Sequence, residues 1–112
     1  MEKVESHQDA ATAPVRLYYT GWSSSTGEAD WGLRPLFAGD KTPPSMYNIS
    51  YYKNPTVDAD IMKALGTTDR AEKTKLYTEV QEEIWKDAPW AFLVTEKLLY
   101  ATSKKLTGMY VM

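Results

Sequence analysis

Two carboxylates, Glu28 and Asp30, follow a run of hydroxyls, Ser23-Ser24-Ser25-Thr26, in a stretch bounded by Tyr18, Tyr19 and Trp22 on one side and Trp31 on the other. Acids, hydroxyls and rings that are apolar on their faces and polar at one edge are the groups that capture a small polar solute. A second chemistry also fits. Paired carboxylates hydrolyse glycosidic bonds as general acid and nucleophile, provided the fold sets their separation. The third reading is local: Asp30 caps a helix, Glu28 is solvated and the serines form a turn. A serine nucleophile finds no support, because no Gly-x-Ser-x-Gly elbow surrounds the serines and the one histidine, His7, lies in a polar N-terminal stretch.

Composition narrows the field. The chain has 112 residues, enough for one small domain with one core. A net charge of −2 gives no basic footprint for nucleic acid or an anionic membrane. The absence of cysteine excludes disulfides, thiolate catalysis and zinc–thiolate sites, and a single histidine argues against a histidine-based metal site; no cofactor is expected. No apolar run approaches the roughly 20 residues of a membrane span, and no signal peptide is visible. Four Trp and eight Tyr against two Phe favour rings placed where one side is dry and the other wet.

The elements that must hold these groups follow in order. Residues 1–14 read as a tail or lead-in, closed by Pro14. Residues 15–22, VRLYYTGW, read as a strand, with Val15, Leu17 and Tyr19 on one face and Arg16, Tyr18 and Thr20 on the other. A short helix is expected from Trp31 to Ala38 with Asp30 as cap, although Pro35 fits it poorly. Residues 39–52, with Pro43-Pro44 and little periodicity, read as a long loop of the kind that carries function; its rings Tyr47, Tyr51 and Tyr52 suit ligand as well as core. Asn54-Pro55 starts a second helix whose face carries Val57, Ile61 and Leu65, stopped by Gly66. Asp69 and Glu72 have the spacing of a capping box for a third helix, with Leu76, Val80 and Ile84 as its buried stripe and Glu82–Lys86 as a surface pair. Trp85 and Trp90, at the end of that helix, read as core. Pro89 ends it, and residues 90–94, 98–101 and 106–112 read as strands, the first of them buried. The chain stops on an apolar run with nothing to terminate it, so it reads as a segment of a longer protein.

In sequence order, these features resemble one family. Gly21-Trp22, the acid-containing loop, Asn48 to Tyr52, Asn54-Pro55-Thr56-Val57-Asp58, Ala71-Glu72-Lys73 through Leu76-Tyr77, Ala88-Pro89 and Lys105-Leu106-Thr107-Gly108 are similar to the peptide- and nickel-binding class of extracytoplasmic solute-binding proteins of ABC importers. The similarity covers residues 15–112. It implies an α/β fold: part of the second lobe of a type II periplasmic-binding-protein architecture, a mixed sheet with flanking helices, carrying one wall of a cleft between two lobes. It implies a non-enzymatic role, the capture of a small peptide and its delivery to membrane permease subunits, in the periplasm or tethered outside the membrane of a Gram-positive cell.

RLYYTGWSSSTGEADW most resembles the members of that class that take glutathione, which favours glutathione over a dipeptide or oligopeptide. Relatives that bind ordinary peptides hold the ligand's α-ammonium with an aspartate three residues after the tryptophan. Ser25 occupies that position here, so charge compensation falls to Glu28 or Asp30. The resemblance assigns Tyr19 and Trp22 as apolar walls, Ser23, Ser24 and Ser25 as hydrogen-bond partners, and Asn48 as a further contact. A truncated lobe also leaves apolar surface and sheet edges uncovered, from which self-association is expected.

Overall fold

The computed structural model describes residues 9–97 and 99–109. Among the described residues there are three helices: α1, Ala29–Phe37; α2, Pro55–Gly66; and α3, Arg70–Asp87. Among the described residues there is no strand, so the expected mixed α/β sheet is corrected to a small helical packing with extended flanks. The segments 15–22, 90–94 and 99–101 have strand-forming composition but no neighbour with which to share a hydrogen-bond ladder, and a strand exists only as part of one. Apart from Trp22 and Trp90, which pack against the core, their large side chains lie mostly open: Leu17 is 92% exposed and Val94 73%. The expectations for Leu98 and Tyr110–Met112 lie outside the described residues. The Cα radius of gyration, 17.0 Å, exceeds the roughly 13 Å of a compact chain of this length.

The two longer helices form where capping chemistry and apolar period agree. Asn54 Oδ1 accepts from the backbone N–H of Thr56 (2.9 Å) and Val57 (3.3 Å), and Pro55 fills the first helical position, where no N–H is needed. Asp69 Oδ1 accepts from Ala71 (2.7 Å) and Glu72 (3.0 Å). The capping box stays half made, because Thr67 Oγ1 already serves the Asp69 N–H. Glu72 instead accepts from the Thr67 hydroxyl at 3.0 Å and pairs with Lys63 at 3.1 Å, tying the start of α3 to the end of α2. α3 closes with Ala88 in the left-handed region (φ 49°), its N–H donating to Ile84 O.

The core lies between these helices and the end of α1: Leu36, Phe37, Ala38, Val57, Ile61, Val80 and Ile84 are buried together. Ala64, not the exposed Leu65, completes the α2 stripe, because the helix turns its buried face through positions 57, 61 and 64. Ala64, Leu76 and Tyr77 form a second cluster against Leu33. Two details differ from expectation. Trp85 is exposed, turned away from the stripe of Val80 and Ile84, and stacks on Phe92 at 5.8 Å; Trp90 does pack on the core. Lys86 pairs with Glu83, three residues back, rather than with Glu82.

Asp58, one turn into α2, accepts a hydrogen bond from the Gly39 N–H at 2.8 Å. A Cβ on Gly39 would stand 2.8 Å from Asp58 Oδ2, so any larger residue there would push aside the carboxylate that anchors the loop. The Asn-Pro-x-Val-Asp run is thus accounted for: cap, first turn, core and loop anchor.

Candidate functional site

α1 begins two residues earlier than expected, with Glu28 rather than Asp30 at the cap position and no side-chain cap bond. Pro35 lies inside the helix and has no N–H to give the carbonyl four residues back, which belongs to Trp31. The Trp22 indole Nε1–H donates to that carbonyl at 2.9 Å. The proline therefore leaves an acceptor open, and Trp22 fills it. Its ring lies 6.0 Å from Trp31 and 5.2 Å from Tyr47, centroid to centroid, in tilted contacts favourable to aromatic pairs.

Around this ring is a cleft of about 240 Å³. It is lined by Tyr18, Thr20, Gly21 and Trp22 from the extended flank and by Leu36, Tyr47, Ile49 and Trp90. Trp22 is thus in the candidate site, while Tyr19 is 73% exposed and outside the lining. The alternation of an extended chain explains this: Tyr18, Thr20 and Trp22 share one parity and Tyr19 the other. That parity, together with the ring at Tyr47 in a long loop, was the signal that could have found the wall.

The serine loop has local work. Ser24 Oγ donates to Glu28 O at 3.0 Å, Thr26 Oγ1 accepts from the Glu28 N–H at 3.2 Å, and Gly27 takes φ +70° to turn the chain. Together they hold the backbone of Glu28, the residue from which α1 starts, although no side chain caps the helix itself. Ser23 and Ser25 are exposed, and none of the three serines lines the cleft. The carboxylates part company. Glu28 is exposed, whereas Asp30 holds Arg34 through both oxygens, at 2.9 Å to Nε and 2.8 Å to Nη2. That bond raises the Arg34 pKa; burial, and then Asp30, raises that of the Tyr77 phenol. Asp30 is committed as the counter-ion of a one-turn bidentate pair.

Asn48 is fully buried, at 0% exposure. Its Nδ2 donates to Ala38 O (3.0 Å) and Tyr52 O (2.8 Å), and its Oδ1 accepts from the Tyr52 N–H (3.1 Å) and the Ser50 hydroxyl (3.0 Å). An amide has two donors and two lone pairs, so no polar capacity is left for a ligand. Nearby, the Tyr52 hydroxyl donates to Asp87 Oδ2 at 2.6 Å, and Asn54 Nδ2 donates to the same oxygen at 2.8 Å. Burial and then the Asp87 bond push the Tyr52 pKa up to about 12, and the bonds from Tyr52 and Asn54 hold that of Asp87 below its ordinary value. Among the described residues no group of three or more His, Asp or Glu side chains could hold a metal ion, and no helix is long and apolar enough to cross a membrane.

No family model matches the chain. Comparison with curated proteins aligns 98 residues, 88% of the chain, with relatives 54% to 63% identical to it. The relatives are each named glutathione-binding protein GsiB: that of Pectobacterium atrosepticum is 63% identical, that of Salmonella typhimurium 56% and that of Escherichia coli K12 54%. The chain spans about a fifth of their length, 19%.

Proposed function

We propose that this chain supplies one wall of the ligand site of a glutathione-binding protein, the substrate-capturing component of an ABC importer working outside the cytoplasmic membrane. One observation carries the reading: the aromatic cleft of Tyr18, Trp22 and Tyr47 lies in the segment shared with relatives named for binding glutathione. Rings of this kind suit the peptide backbone and thiol of glutathione, since sulfur packs well against aromatic edges. The role is reversible capture and hand-over to permease subunits, with no bond made or broken. Ser25 and Glu28 are exposed on the loop that follows Trp22, outside the cleft lining, and would reach the ligand only from that loop once an opposing wall encloses it.

The cleft holds less than the roughly 300–1,000 Å³ of a typical small-molecule site, so an opposing wall is needed to enclose the ligand. Titration calorimetry tests this in two settings: the 112-residue chain alone, and the Pectobacterium relative with its matching segment exchanged for this chain. The exchanged protein binds glutathione and the isolated chain binds it weakly or not at all. Ser25→Asp in the exchanged protein shifts preference from glutathione toward dipeptides. Micromolar binding by the isolated chain contradicts the one-wall reading; an exchanged protein that folds but ignores glutathione contradicts the ligand.

A further inference from the structure

Asn48 stands between two residues of the cleft lining, Tyr47 and Ile49, without touching the cleft itself. Its amide joins three points of the backbone that no helix or strand holds together. One is Ala38 O, at the cap of α1; the others are the N–H and the carbonyl of Tyr52, on the approach to α2. Only one orientation of the amide makes all four bonds, because two partners are carbonyls that need donors and two are an N–H and a hydroxyl that need an acceptor. The loop so clamped is not relaxed: Tyr51 sits at φ 54°, a conformation that an L residue other than glycine adopts only when its surroundings enforce it. Tyr47 is tied to the end of α1 by its own N–H, which donates to Pro35 O at 3.2 Å.

We infer that Asn48 is a positioning residue for ligand recognition: its buried amide fixes the Tyr47 wall of the cleft against Trp22, and it acts on the ligand only through that wall. The part concerning ligand rests on the proposed glutathione site; the part concerning Tyr47 does not. Ser50, whose hydroxyl orients the amide, belongs to the same device.

The first measurement needs no ligand. In the 112-residue chain, the near-ultraviolet circular dichroism removed by Tyr47→Ala defines the Tyr47–Trp22 contact. Asn48→Asp, which turns two donors into acceptors facing carbonyls, loses that same signal while the helical far-ultraviolet signal stays. Ser50→Ala, a milder change, shows a smaller loss in the same direction and decides the matter if Asn48→Asp does not fold. Leu76→Val, in the separate cluster with Ala64 and Tyr77, lowers Tm without touching the signal. The second measurement is glutathione affinity in the exchanged protein. Asn48→Asp, or Ser50→Ala to a lesser degree, weakens binding, by about tenfold for the former, and changes it less than about twofold when Tyr47 is already alanine. Loss of the aromatic signal in Leu76→Val equal to that in the loop variants overturns the inference, as does a loss of affinity that is undiminished in the Tyr47→Ala background. If the unaltered exchanged protein does not bind glutathione, the functional reading fails, and the aromatic signal alone still decides whether Asn48 positions Tyr47.

Discussion

The middle of the chain, Ala29 to Trp90, and the segments on either side both carry large apolar residues, yet only the middle buries them. Ile61 and Val80 are wholly enclosed, while Leu17, Val94 and Leu99 stand open. The difference lies in what each kind of structure needs. A helix satisfies its own backbone and asks its neighbours only for apolar cover, which α2 and α3 give each other across a three-residue link. An extended segment satisfies nothing alone, and its residues stay exposed until another strand supplies the ladder. The candidate cleft lies on the border: Trp22 and Tyr18 come from an extended flank, and Tyr47 and Leu36 come from the packed middle.

The comparison breaks most readily at the core. Ile61→Ala or Val80→Ala removes buried methyl groups and costs about 2–4 kcal/mol in urea unfolding, while Leu17→Ala or Val94→Ala stays within about 0.5 kcal/mol. Equal losses in both regions would mean that the flanks are packed after all. Next comes the cap of α2. Asn54→Ala removes two backbone bonds and the bond to Asp87, and costs about 1–2 kcal/mol, more than Asp69→Ala, whose side chain caps only its own helix.

Pro35→Ala sharpens the border itself. It restores an N–H for the Trp31 carbonyl, so α1 is at least as stable, but Trp22 must then share that acceptor with the helix, its bond weakens and its fluorescence moves to the red. The smallest effect is that of pH. The Asp87 pKa is lowered by Tyr52 and then Asn54, so the stabilisation is present above the free aspartate value of about 3.9 and fades as pH falls through the lower folded value. Thermal melts from pH 7 to pH 3 show this acid-labile component in the wild type, reduced in Asp87→Asn.

What the sequence made legible follows the same border. Asn54-Pro55 and Asp69 announced two helices because a cap is a local event, read from residues within one turn of each other. The stripe of Leu76, Val80 and Ile84 was legible for the same reason. Strands at 15–22 and 90–94 were expected from β-branched and aromatic content, but composition reports what a segment can join, and the described residues offer it nothing to join. Trp22, expected as an apolar wall at the end of an extended run, lines the candidate cleft. Tyr19, expected as an apolar wall, lies outside the cleft lining, and Tyr18 lies in it, as the alternation of that run places them. Asn48 was expected as a ligand contact from the resemblance; in the structure its amide is taken up by Ala38, Tyr52 and Ser50, partners that no local pattern announces. Pro35, which fits a helix poorly, makes sense only with the indole that takes up the carbonyl it leaves open.

The central claim is that Trp22 and its neighbours form a wall that glutathione meets. Glutathione affinity in the Pectobacterium relative carrying this segment, with and without Trp22→Ala, tests it most directly. A loss of about tenfold or more, with the fold retained, is the expected result, since a central aromatic anchor carries a large share of binding energy. Unchanged affinity in a folded Trp22→Ala protein would contradict it.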